Sequence, residues 1–168
     1  TAEIADYEAW LAMLDGLGLL SERAVLLGQC TVAQNLALPI TLASEPIEPA
    51  VVPRVEALAD EVGIPPQALA TPVYQAAPDV VQRVRLGRAR ARDPRLLVAE
   101  HPSATLPREG VPAFARDLAR VVTARGAALL SISADREFTK ALGGQALTLD
   151  PKNGVLSRPG LLARLGLG

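Results

Sequence analysis

The chain has 168 residues, of which 49% are hydrophobic, and its formal net charge is -1. This length fits one domain with a substantial core, and the balanced charge argues against a nucleic-acid-binding surface. One cysteine, Cys30, and one histidine, His101, exclude a disulfide framework and a zinc site built by this chain alone. Because no apolar run is long enough to span a bilayer and no signal-peptide pattern is present, we expect a cytoplasmic protein, at most peripheral on the inner face of a membrane.

Hydrophobic residues alternate between helical and strand periods along the chain, which predicts an α/β domain with a mainly parallel sheet. The helical patterns cover residues 4–14, 32–40, 52–62, 80–92, 111–125 and 136–142. The strand patterns cover residues 17–21, 95–100, 127–133 and 145–150. If strand 127–133 lies at an open edge of the sheet, we expect helix 4–14 or a second copy of the chain to cover it.

Three local signals mark where helices begin and where the chain turns. Thr31 is a predicted N-cap for the following helix, and the three prolines within residues 43–53 predict a loop. Asp79 is predicted to cap a helix whose arginines form a solvated face. These arginines are Arg83, Arg85, Arg88, Arg90 and Arg92.

Three stretches carry a resemblance to a known family: "TVAQNLALPI" at 31–40, "QRVRLGRARARDPRLLVAEHPSATL" at 82–106, and "ALLSISADREFTKALGGQALTLDPKNGVL" at 128–156. In this order and spacing they resemble the nucleotide-binding domain of ABC transporters. The resemblance implies a partial P-loop NTPase (RecA-like) core with a mainly parallel sheet. It also implies a helical subdomain at 31–92, a Walker B to H-loop core at 93–156 and a tail at 157–168.

The family's phosphate-binding residues are replaced or missing here. The sequence contains no G-x-x-x-x-G-K-S/T motif, which is the Walker A loop that cradles phosphates. The Q-loop glutamine aligns with Glu22, the Walker B aspartate with Glu100, and the following catalytic glutamate with His101. Glu100 is therefore the one candidate metal ligand. His101 either acts as a base near neutral pH or only hydrogen-bonds a nearby backbone group.

The other nucleotide-contacting motifs of the family are also altered. The H-loop histidine aligns with Ala134 and the D-loop aspartate with Pro107. The signature L-S-G-G-Q aligns with Ala76, Ala77, Pro78, Asp79 and Val80. This segment lacks the serine hydroxyl and the glycine N–H groups and adds a carboxylate, so we expect it to bind a nucleotide phosphate poorly.

The resemblance implies ATP and magnesium as the cofactors of a complete, active cassette, but we expect none for this chain alone. The leading hypothesis is a pseudo-ATPase that docks on a membrane subunit or a competent ATPase subunit. In the family a short helix of the membrane subunit binds beside the Q-loop, where this chain carries Val25, Leu26 and Leu27. The alternatives are a C-terminal piece of an active ATPase whose Walker A lies upstream, and an α/β interaction module that binds no nucleotide.

Overall fold

Three parallel strands form the sheet at the centre of the computed structural model, which describes residues 7–158. The strands are β1 (Leu17–Leu20), β2 (Leu96–Glu100) and β3 (Ala128–Ile132), with β2 in the middle. In the register, Leu19 lies beside Val98, and Val98 lies beside Leu130. A separate antiparallel pair is formed by β4 (Thr148–Leu149) and β5 (Leu156–Ser157).

Six helices accompany these strands in the described part of the chain. They are α1 (Tyr7–Asp15), α2 (Val32–Ala37), α3 (Val52–Glu61), α4 (Pro78–Arg90), α5 (Val111–Ala124) and α6 (Arg136–Leu142). The α/β fold with a parallel sheet is thus confirmed, and α2, α3 and α4 form a helical insertion between β1 and β2. None of the helices within 7–158 combines the length and the apolar character needed to cross a membrane. The expected start of the first helix before residue 7 and most of the tail 157–168 lie outside the described residues.

Within residues 7–158, one face of the sheet packs against the core and the other is only partly covered. Leu97 and Ala99 on β2 are fully buried, and Gly18 on β1 lies so close to α4 that a Cβ atom there would overlap the carbonyl oxygen of Ala89. On the opposite face four aliphatic side chains remain 40–54% exposed. We call this the bare sheet face: Leu17, Leu19, Leu130 and Ile132.

The helical insertion is built around a capped start and a close helix crossing. Thr31 caps α2 as predicted: its hydroxyl accepts from the Gln34 N–H at 3.2 Å, and the Gln34 side chain accepts from the Thr31 N–H at 2.7 Å. This reciprocal pair satisfies two backbone donors at the helix start. Gly87 on α4 lets Leu36 pack directly on the helix backbone.

The predictions for α4 need two corrections. Asp79 is not the N-cap, because α4 begins one residue earlier at Pro78, and Ala77 occupies the cap position without a side-chain hydrogen bond. Proline fits the first helical position because the N–H that it lacks has no intrahelical partner there. The arginines are not a solvated face either: the Arg90 side chain is only 2% exposed, and Arg83 is paired with Asp117 of α5.

Strand β3 lies at an edge of the three-stranded sheet, but α1 does not cover that edge. In the described residues β3 pairs with β2 alone, whereas α1 leads through Gly16 into β1 at the other edge of the sheet. The large apolar side chains of α1 include Tyr7, Trp10 and Met13, and none of them is buried. The second expected cover, another copy of the chain, stays a prediction.

Candidate functional site

The carboxyl ends of β2 and β3 border a cavity of about 460 Å³. Parallel strands bring residues that are far apart in sequence together at this edge, where α/β proteins commonly bind ligands. The predicted site residues His101 and Ala134 both line the cavity, whereas Glu22, Glu100 and the signature-equivalent residues 76–80 are not among its lining residues. Its lining also includes Ser103, Ala104, Leu106, Arg108, Val111, Ser133 and Asp135.

Glu100 has protein partners at both carboxylate oxygens. Its Oε2 accepts a hydrogen bond from the Ser21 hydroxyl at 2.8 Å, and its Oε1 lies 3.7 Å from Arg23 Nη2. The Ser21 oxygen in turn accepts from the Arg23 backbone N–H at 3.2 Å. No group of three His, Cys, Asp or Glu side chains that could hold a metal ion occurs within residues 7–158. Mg²⁺ in nucleotide sites is usually held by one or two carboxylates together with phosphate oxygens, and Glu100 is the aligned carboxylate that could contribute such a ligand.

His101 lies directly after β2 in the left-handed region, with φ of 44°. Its backbone N–H donates to the Ile132 carbonyl at 2.8 Å, which keeps the end of β2 beside the end of β3. The imidazole is exposed and has no hydrogen-bond partner among the residues that the structure describes. The expectation of a bond to a backbone group is met by the amide of His101 and not by its side chain.

Asp135 is the carboxylate that lines the cavity, and it accepts several hydrogen bonds. It was not identified from the sequence as a site residue. Its carboxylate accepts from Ser103 Oγ at 2.9 Å, Arg108 Nη1 at 3.2 Å, and the N–H groups of Glu137 and Phe138 at 3.0 and 3.2 Å. Burial by itself raises the pKa of Asp135, but the Phe138 N–H, the Ser103 hydroxyl, the Arg108 charge and the Glu137 N–H together lower it. The signal for it was present, since an aspartate just before a helical pattern is a typical N-cap.

Three further aligned positions offer little to a nucleotide. Ala134 presents only a methyl group to the cavity, where the family has an imidazole. Pro107 is exposed and caps a short turn at Arg108–Gly110. In the segment aligned with the signature, Ala77, Pro78 and Asp79 are exposed while Val80 is buried in the core.

The residues expected to dock a partner differ in exposure. Val25 is 75% exposed and Leu27 is 47% exposed, whereas Leu26 is partly buried against the core. Tyr74 is also exposed and is joined to this segment by a hydrogen bond from its N–H to the Gly28 carbonyl at 3.2 Å. We call Val25, Leu27 and Tyr74 the apolar patch. Contiguous exposed apolar surfaces mark interaction sites, whereas single exposed apolar side chains are ordinary.

Comparison with curated proteins finds relatives among ATP-binding subunits. No protein-family profile matches the chain. Methionine import ATP-binding protein MetN of Myxococcus xanthus is 33% identical over 135 residues, which cover 80% of this chain and 40% of that protein. MetN 1 of Pseudomonas fluorescens is 28% identical over 147 residues, which cover 88% of this chain and 43% of that protein. The chain thus spans less than half the length of these relatives.

Solved structures agree on the fold. The dimeric bacterial ABC transporter cassette MJ0796 superposes with a TM-score of 0.64 at 16% identity, over 81% of this chain and 60% of the cassette. A dimeric post-hydrolysis state of the same cassette, bound to ADP and phosphate, gives a TM-score of 0.64 at 17% identity. The resemblance drawn from the three sequence stretches is confirmed: the chain's relatives are ATP-binding proteins of ABC transporters, and its fold matches part of an ABC cassette.

Proposed function

We propose that this chain is part of an ATP-binding subunit of an ABC transporter that no longer hydrolyses ATP at its own site and serves as a structural or regulatory partner in the assembly. The observation that carries the proposal is the pairing of Glu100, whose carboxylate accepts a hydrogen bond from Ser21 and faces Arg23, so that a metal ion would compete with both contacts. The lack of a polar side chain at Ala134 supports it further.

The electrostatics of the cavity also disfavour phosphate. Asp135 is held in its charged form, and Arg108, the arginine that lines the cavity, is already paired with it. A carboxylate about 4 Å from a phosphate charge costs about 1–4 kcal/mol per charge pair, depending on screening. No step of ATP hydrolysis is therefore assigned to these residues.

The apolar patch is the proposed docking surface for a membrane subunit or a competent ATPase subunit. Asn35 bonds the Leu27 backbone, and Arg88 Nη1 donates to the Val25 carbonyl at 2.7 Å, so the patch is held in place by the helical insertion. Leu26 anchors the same segment in the core. Because such a surface is already ordered, binding a partner costs little additional conformational entropy.

A second candidate is supported by the bare sheet face and the open edge of β3. In this alternative the chain is a piece of an active ATPase whose Walker A loop lies upstream. A strand beside β3 would cover the open edge, and a helix across Leu19 and Leu130 would cover the bare sheet face, although pairing with a second copy would cover the edge as well.

The two candidates differ in their response to Mg-ATP. We would titrate Mg-ATP calorimetrically into this chain and into the longer protein with its natural upstream segment, and measure phosphate release. The proposal expects no micromolar binding by the chain alone and no hydrolysis by the longer protein. Hydrolysis that is lost in Glu100→Gln but kept in the exposed control Glu137→Gln would instead establish the second candidate.

The docking role is tested by capture of the cognate ABC membrane subunit in nanodiscs. Val25→Asp changes an exposed residue, so the free energy of unfolding should move by less than about 0.5 kcal/mol. Capture should be lost with this variant and kept with Thr105→Asp, which places the same charge at an exposed site beyond the patch. Equal capture by both variants would contradict the docking role. No capture and no ATP binding by the unaltered protein would favour an interaction module of another kind.

A further inference from the structure

The carboxyl end of α3 is surrounded by arginines from two other helices. Glu61, the last residue of α3, has a side chain only 16% exposed, and its carboxylate meets Arg90 of α4 at 3.4 Å and Arg125 at the end of α5 at 2.8 Å. Arg90 and Arg125 also share Asp93, at 3.0 and 3.2 Å. Arg90 and Glu61 are shielded from water, so this pair is screened much less than surface pairs are, whereas Asp93 and Arg125 are at least half exposed.

Two more arginines bind the backbone carbonyls at the same helix end. Arg120 Nη2 of α5 donates to the Glu61 carbonyl at 3.2 Å, and Arg83 Nη1 of α4 donates to the Val62 carbonyl at 2.7 Å. These carbonyls have no partners within the helix, and the end of a helix dipole attracts cations. Arg83 also holds Asp117 of α5 at 2.7 Å, which joins α4 to α5 directly.

We call Arg83, Arg90, Arg120 and Arg125 the arginine clamp. It connects helices that precede β2 in the sequence with a helix that follows β2. Arg83 and Arg90 belong to the helical insertion, which precedes β2, whereas Arg120 and Arg125 belong to α5, which follows β2. Four guanidinium groups face three carboxylates and a negative helix end, so the charges nearly balance. The cavity of about 150 Å³ at this junction is lined by Arg90 and Arg125, which are already paired with Glu61 and Asp93, and by Arg54, which donates to the Ala91 carbonyl.

We propose that the arginine clamp is an ionic lock that holds the helical insertion in one orientation relative to α5. The hydrophobic effect is non-directional. Charge-assisted hydrogen bonds are restricted in angle and distance, and here they reach both the side chain and the backbone of one helix end. Since Asn35 and Arg88 fix the apolar patch to the same insertion, the lock also sets the position of the patch.

The lock is tested by measuring the distance between two spin labels in the full chain. The labels are placed at the exposed positions Gln67→Cys, just after α3, and Arg116→Cys on α5, with Cys30→Ser removing the natural thiol. Glu61→Gln removes the charge at the centre of the clamp, and Glu56→Gln makes the same change at an exposed site of α3. We expect one narrow distance distribution for the unaltered clamp and for Glu56→Gln, and a broadened or two-peaked distribution for Glu61→Gln.

Amide hydrogen exchange separates a lock from a general contribution to stability. Loss of one partner in a shielded ion pair should raise exchange in residues 52–64 by about tenfold while the amides of β2 stay unchanged. If Glu61→Gln does not fold, the half-exposed Arg125→Gln provides the milder change. The lock is overturned if the labels keep one narrow distance in both clamp variants, or if exchange rises equally in α3 and β2.

Discussion

The Asn35 side chain is expected to hold the segment from Glu22 to Thr31 in its conformation by hydrogen-bonding its backbone. Its side chain is fully buried, and its Oδ1 accepts from the Leu27 N–H at 2.9 Å. Its Nδ2 donates to the carbonyls of Leu27 at 2.9 Å and Thr31 at 3.0 Å. One amide side chain thus replaces the strand or helix partners that this irregular segment lacks.

The cost of Asn35→Ala follows from these contacts. Three hydrogen bonds contribute about 1 kcal/mol each, and leaving a shielded backbone group unpaired adds to the loss. Water reaches the half-exposed Leu27 and recovers part of it, so we expect a loss of about 2–4 kcal/mol in the free energy of unfolding. Urea denaturation with the same m-value for both proteins would measure this change directly.

The matched control is Asn153→Ala, where an exposed asparagine accepts one hydrogen bond from the Val155 N–H at 2.9 Å. That change should cost under about 1 kcal/mol. If Asn35→Ala costs no more than the control, the hydrogen bonds of Asn35 do not stabilise the segment. The Leu27 N–H donates to Asn35, so its hydrogen exchange should speed up in Asn35→Ala. An unchanged exchange rate of this amide would also refute the reasoning.

Two further predictions concern the sheet and the cavity. Gly18→Ala would press a methyl group against the backbone of Ala89 and should lower the free energy of unfolding, measured with urea, by about 1–3 kcal/mol. Gly110→Ala, which meets open space, should be nearly neutral. Equal effects of the two changes would contradict the close approach of α4. Because the pKa of Asp135 is lowered in the folded state, its contribution to stability is present above the unfolded pKa of about 4 and is lost as pH falls through the lower folded value. Asp135→Asn should therefore destabilise at neutral pH, and its difference from the unaltered protein should shrink in acid; a pH-independent difference would contradict it.

The secondary structure was largely predictable because its signals are local. Helical spacing of Phe114 and Leu118 indicated α5, and the apolar run from Leu96 to Ala99 indicated β2. Thr31 was predictable as a cap because a threonine directly before a helical pattern is a typical N-cap, and its partner Gln34 lies only three positions away. Patterns of this length contain all the residues that decide the outcome.

The arginines of α4 show where local patterns fail. Arginines at helical spacing are typical of a solvated face, yet Arg90 is buried because Glu61 comes from α3 and Arg83 is paired because Asp117 comes from α5. The bond between Ser21 and Glu100 likewise joins residues 79 positions apart. No periodicity within one segment contains such partners, so the positions of site residues were predictable and their contacts were not.

The bare sheet face places a physical requirement on any function of this chain. Full burial of an aliphatic side chain stabilises a protein by about 1.5–3 kcal/mol, and the four residues of this face are roughly half exposed, so a cover would contribute about 3–6 kcal/mol. Any covering segment gains this energy, whether or not it carries a working phosphate loop. Higher stability of the longer protein would therefore be expected under both proposed functions. Only measurements that depend on nucleotide can separate a cassette that no longer hydrolyses ATP from an active one. The effect of Glu100→Gln on phosphate release is the most direct of these.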